Sequence, residues 1–263
     1  RVERQPAGDW TYTPIKFWPC NSTDKISFIA YAPYVDESVA TNPSFDSRDV
    51  MLGFPKLNFT VPSAESKQVD LLAAPPIMNQ NSGNVSFKLY HTLTKVCIYV
   101  KSNDDTTGKV VTSFSITGAK GGLLTYSSAA SEADKRWEWS YPSPNEKETF
   151  VATTTDFPVA DTTTEDKRLL ATFFLLPVGA GNTFNITYKY GTTDSNHNQV
   201  TQVIQLENQA FPSTDQWISG ATMSYTIGIA KRTISIKQES GSLSWEESDS
   251  EETVKGAEEG VTS

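Results

Sequence analysis

At 263 residues the chain is long enough to bury one or two hydrophobic cores without disulfide staples. Its 31 Thr and 28 Ser, beside 37% hydrophobic and 11% aromatic residues, describe strands that turn hydroxyl-rich faces to water, an all-β composition. The formal charge of −9 and the lack of any Lys/Arg cluster exclude a nucleic-acid backbone as partner.

The opening stretch Arg1-Val2-Glu3-Arg4-Gln5-Pro6-Ala7-Gly8-Asp9 makes a poor strand, and its arginines, Arg1 and Arg4, are candidate sites of proteolytic processing. It begins without Met and reads as a trimmed product; neither a signal peptide nor a membrane-spanning apolar run is present. Period-2 alternation predicts strands at residues 25–31, 84–89, 112–116, 184–190 and 223–227. Cys97 lies in the strand-like run 95–100 and reads as a small buried hydrophobe. With Cys20 it makes too small and too distant a set for a disulfide framework or a zinc site, while a single Cys20–Cys97 bridge stays open.

Helical turns are expected only near residues 70–74 and 129–134. The run Leu169-Leu170-Ala171-Thr172-Phe173-Phe174-Leu175-Leu176, closed by Pro177, predicts a central strand buried on both faces. Polar β-branched residues around Pro158, from 153 to 166, suggest a boundary between two sandwich-type domains, residues 1–155 and 156–245. Residues 246–263 carry seven acids against Lys255 alone, hence −6 of the total charge, and are expected to be disordered.

Catalysis finds little to work with. A triad needs a base, and only His91 and His197 are available; His91 directly follows a strand and His197 sits in a polar turn, so both read as structural or solvated. Glu138 lies between Trp137 and Trp139, but in a strand the aromatics Trp137, Trp139 and Tyr141 face one way and Glu138 the other. Those three aromatics are either an inward core face or a candidate glycan-stacking surface. Residues 118–122 are too short for a phosphate loop, and the acids at 103–105 and 161–166 lack calcium-loop spacing. No cofactor and no metal are expected, and the chain is read as a non-enzyme.

The order of segments resembles the fimbrillin-like proteins of Bacteroides-type bacteria, subunits of type V pili. The resemblance rests on Trp10 with Phe17-Trp18-Pro19, the strand Phe28-Ile29-Ala30-Tyr31-Ala32-Pro33-Tyr34, Asp70-Leu71-Leu72-Ala73-Ala74, and the strand-His-strand segment 85–96. Residues 118–124, Leu175-Leu176-Pro177, residues 217–227 and Leu243-Ser244-Trp245 then follow in the family's order. The resemblance implies two tandem transthyretin-like β-sandwich domains and export as a lipoprotein to the outer membrane. It also implies assembly with other pilus subunits by strand exchange, with adhesion to surface glycans or proteins. The family's lipid-bearing Cys is not found before Trp10, and the acidic tail lacks the alternation of a donor strand, which points to a tip or accessory subunit. A secreted carbohydrate-binding sandwich using Trp137, Trp139 and Tyr141 is the alternative.

Overall fold

A computed structural model describes residues 2–4, 6, 10–21, 23–34, 42–45, 56–127, 137–141, 146–154, 156–160, 166–178, 180–212, 217–239 and 252–254. Strands begin with β1 (Val2–Arg4), β2 (Trp10–Tyr12), β3 (Ile26–Ala32), β4 (Ser44–Phe45), β5 (Leu57–Thr60), β6 (Leu72–Gln80), β7 (Val85–Phe87) and β8 (Tyr90–His91). Then come β9 (Thr94–Ser102), β10 (Val110–Ala119), β11 (Gly121–Tyr126), β12 (Trp137–Ser140), β13 (Lys147–Val151) and β14 (Phe157–Pro158). Last are β15 (Arg168–Leu175), β16 (Thr183–Thr193), β17 (Gln199–Ala210), β18 (Thr222–Ile229), β19 (Ile234–Gln238) and β20 (Glu252–Val254). Among the described residues the longest helical piece is a single 3-10 turn, Glu65–Lys67.

Two sheets form the main sandwich. One has the order β13-β10-β16-β17, with β14 also on β10; the other has the order β15-β9-β18-β19. Alternation explains the layering: Phe114 and Ile116 of β10 and Phe184, Ile186 and Tyr188 of β16 are buried, while the residues between them are more accessible. The rings of Phe114 and Phe184 lie 5.7 Å apart, and Phe114 also meets Phe173 of β15 across the layers at 6.2 Å. The centre of the second sheet is the pair β9 and β18, which run parallel from Lys95↔Thr222 to Ser102↔Ile229.

Smaller sheets flank the sandwich. β12-β11-β5-β4 adds Leu57, Phe59 and Leu124 to the same core, and β3-β6-β8 carries the amino-terminal part of the chain. Pro75 and Pro76 lie in β6 beyond its short pairing with β8 and at the irregularity in its pairing with β3 between Ala74 and Ile77, where an outer edge and a bulge tolerate residues without an N–H.

Four expectations are corrected here. The boundary at 155/156 does not separate two sheets, because β10 pairs with both β13 and β16, and β9 pairs with both β15 and β18. Within the 153–166 stretch, Phe157–Pro158 forms β14 and pairs with β10 of the same sheet. The apolar run 169–176 forms β15, which ends its sheet, and Leu169 is 48% exposed. Residues 72–74 open a strand rather than a helical turn, since the Leu71 carbonyl is taken by the Thr92 N–H and hydroxyl and local propensity yields to these long-range bonds. Val2–Arg4 forms a hairpin with Trp10–Tyr12 although it reads as a poor strand. The expected turn at 129–134 lies outside the described residues, as does most of the acidic tail; Glu252–Val254 of that tail pairs antiparallel with β7.

Candidate functional site

The ends of the two large sheets differ in how their outer edges are finished. On one flank, β13 and β15 are both bonded by the segment 62–68. Ser63 accepts the Val151 amide at 2.7 Å, and Ala64 bridges Val151 in parallel. The Glu65 carboxylate accepts the Thr153 and Thr172 amides, both at 2.8 Å, and Gln68 Oε1 accepts the Phe174 amide at 2.9 Å. The Thr154 hydroxyl donates to the Leu170 carbonyl. This covering explains why β15 can be apolar nearly throughout while standing at an edge.

On the other flank β17 and β19 have no further strand partner among the described residues. β17 is 12 residues long, carries Glu207 as its sole charge and has no proline. Its inward side chains Ile204 and Leu206, like Ile234 and Ile236 of β19, are only partly buried against the core. Val203 on the outer face is 63% exposed. A long edge with a single charge and apolar side chains to spare, as β17 presents, is the geometry on which an extended segment is added.

The aromatic candidates turn inward. Trp137 is 5% exposed and packs on Tyr126 at 5.2 Å; Trp139 donates Nε1–H to the Thr92 carbonyl at 2.7 Å and lies against Phe59. Tyr141 is half-buried, and burial pushes its phenol well above the usual range. Gly122 lies under Trp139 and Tyr141, leaving no room for a β-carbon without displacing them. Glu138 is exposed on the opposite face, as strand alternation requires. Trp137 is part of the core, and Trp139 and Tyr141 pack against it partly buried.

His91 receives a definite place. Its Nδ1 pairs with the Asp70 carboxylate, joining the end of β8 to the segment just before β6. Burial pushes the Asp70 carboxyl above its ordinary value, against the opposing effect of the His91 bond and charge. Next to it Thr92 collects four bonds: its N–H and hydroxyl reach Leu71, and its carbonyl accepts from Trp139 and Ser219. The family-like residues 70–71 and 91–94 thus tie β6, β8, β12 and the loop before β18 together. Sequence reasoning found His91 but not Asp70 as its partner; the signal available was the acid directly before an apolar strand.

Other candidates are loops and packing. His197 is exposed in the β16–β17 turn, where Asp194 accepts the Asn196 and Asn198 amides. Residues 118–122 connect β10 to β11. Asp104 pairs at 2.5 Å with Lys109, which is 1% exposed, and accepts the Thr106 and Lys231 amides. Partial burial pushes the Asp104 carboxyl upward, but the bonds from Lys109, Thr106 and Lys231 outweigh it and hold it at about 2. Both cysteines are free thiols, Cys20 exposed and Cys97 buried, with burial raising the Cys97 thiol. Among the described residues no group of three or more His, Cys, Asp or Glu could hold a metal, and no helix is long and apolar enough to cross a membrane. Arg4 stands in β1, and Arg1 lies outside the described residues.

The fold is a strand-rich sandwich with one covered and one bare flank. Residues 2–244 match the fimbrillin-like family, and the chain belongs to it. The crystal structure of a fimbrial protein from Bacteroides vulgatus superposes with a TM-score of 0.64 at 21% identity, covering 89% of this chain and 82% of that one. A candidate cell adhesion protein from Bacteroides uniformis gives a TM-score of 0.46 at 19% identity, covering 88% and 78% of the two chains. Nothing among curated proteins matches. Family membership gives the chain a structural or adhesive role in fimbriae at the cell surface and assembly with other pilus subunits.

Proposed function

We propose that the chain is a tip or accessory subunit of a type V pilus, held at the outer membrane through a lipoprotein anchor, that accepts an extended strand of a neighbouring subunit. The observation that carries this reading is the bare β17 edge, 12 residues with a single charge, beside half-buried Ile204, Leu206, Ile234 and Ile236. An incoming strand would extend the β17 ladder by main-chain bonds and complete the burial of those four side chains. Cleavage after Arg4, within the β1–β2 hairpin, is the processing step that fits this assembly; Arg1 is the other candidate. The tail supports an accepting rather than a donating role, because its acids would desolvate badly in an apolar groove and Glu252–Val254 already pairs with β7.

Val203→Lys places a charge on the exposed face of β17 without touching the core, and surface changes of this kind shift stability by about 0.5 kcal/mol or less. Incorporation into fimbriae should fall about tenfold or more, equivalent to about 1.4 kcal/mol of lost association. Unchanged incorporation with an unchanged fold would show that β17 is not the accepting edge.

A further inference from the structure

Thr172 and Phe174 are two residues apart on β15 and direct their amides away from β9, the spacing at which a further strand would supply carbonyls. Glu65 and Gln68 deliver acceptor oxygens to both amides. The second Glu65 oxygen takes the Thr153 amide beyond β13, so one side chain spans the gap between the two sheets. The acceptors are themselves fixed. Lys67 and Gln68 donate their amides to Ala64 and Glu65 in the 3-10 turn, both at 2.9 Å, and Gln68 Nε2 donates to the Pro62 carbonyl at 2.9 Å.

We propose that residues 62–68 are a built-in plug that keeps the β13–β15 flank from accepting an extended segment of a second copy of this chain. The inference rests on the reading of sheet edges as the places where subunits meet. A strand laid on β15 would satisfy the same amides and then present a fresh edge of its own. A turn that satisfies them with side chains presents none. The plug thereby confines strand addition to the β17–β19 flank and makes growth one-sided.

The experiment uses the whole chain in a Cys20→Ser background, with Leu169→Cys on β15 as a cross-linking probe. In Glu65→Ala/Gln68→Ala, hydrogen exchange at Thr172 and Phe174 should quicken about tenfold or more. The variant should also self-associate at concentrations where the parent is monomeric, with disulfides forming between the thiols introduced at position 169 of two copies. Glu65→Gln, which keeps one acceptor oxygen, should show a smaller rise in exchange and weaker association, and serves if the double variant fails to fold. Faster exchange with a strictly monomeric protein would overturn the plug, as would exchange and association identical to the parent in Glu65→Gln. Adding Val203→Lys separates the two readings: association that persists and still cross-links at position 169 runs through β15 whatever β17 does. Association that disappears ran through β17, and the plug inference falls.

Discussion

Replacing Asp104 by Asn leaves the Lys109 ammonium, 1% exposed, without its counter-charge. Its Nζ keeps the Ser102 hydroxyl at 2.5 Å and the Asp104 main-chain carbonyl at 3.3 Å. Breaking a buried ion pair costs about 3–5 kcal/mol, and these retained bonds place Asp104→Asn near the lower end, at about 3 kcal/mol. For a chain of this length that lowers Tm by about 6–12 °C. Lys109→Met keeps the shape of the side chain and leaves Asp104, 29% exposed, with solvent and the Thr106 and Lys231 amides, so it should cost about 1 kcal/mol. Asp104 is depressed from 3.8 to about 2 in the folded protein, so its ionised form favours folding above the unfolded value and that advantage is lost as pH falls toward 2. The shift corresponds to about 2.5 kcal/mol at most, and screening at a part-exposed carboxylate brings it to about 1–2 kcal/mol. Urea unfolding of the parent and both variants between pH 7 and pH 2 measures each quantity. Asp104→Asn within about 0.5 kcal/mol of the parent, or Lys109→Met costing more than Asp104→Asn, would refute the reasoning.

Gly228→Ala would set a β-carbon 2.2 Å from Asn103 Nδ2 and break its 2.8 Å bond to the Ser235 hydroxyl. The exposed Asn103 side chain can swing clear at the cost of that bond, so a loss of about 1 kcal/mol is expected in denaturant melts. Asp70→Ala removes the acceptor of the His91 pair and should cost about 2 kcal/mol, whereas Asp70→Asn retains an acceptor and costs less. Because burial raises the Asp70 carboxyl above its ordinary 3.8, the folded protein holds that proton more tightly than the unfolded chain, and the parent should lose stability as pH rises past that value where Asp70→Asn does not. Parallel pH–stability profiles for the two proteins would contradict this assignment.

Much of the fold was legible wherever one face of a strand is buried and the other wet. The alternations at 25–31, 112–116, 184–190 and 223–227 became β3, β10, β16 and β18. The period alone also set Trp137, Trp139 and Tyr141 against Glu138. What failed has a common cause, which is that a partner distant in sequence decides the matter. The apolar run of β15 looks central because its edge is covered by side chains from residues 65 and 68, more than a hundred positions earlier. Residues 70–74 look like a turn of helix until His91 and Thr92 take up Asp70 and the Leu71 carbonyl. The polar stretch at 153–166 has the composition of a linker, yet the strands on both sides of it share one ladder through β10. What distinguishes a bare edge from a covered one has no sequence signature, since both β15 and β17 are long and carry few charges.

The parallel pairing of β9 with β18 also sets a clock for a chain that emerges amino-terminus first. The Thr94 hydroxyl bonds to the Ile218 carbonyl, 124 positions further on, and β18 follows only after that. Until those residues exist, β9 can have β15 on one side and no strand on the other, so the central pair of the sheet cannot close before residues 222–229 are made. Folding that depends on pairings this far apart in sequence is slow, in the range of about milliseconds to seconds for β-rich proteins. A chain interrupted before residue 222 would hold most of the core residues but leave β9 without its parallel partner and the core without Met223, Tyr225, Ile227 and Ile229.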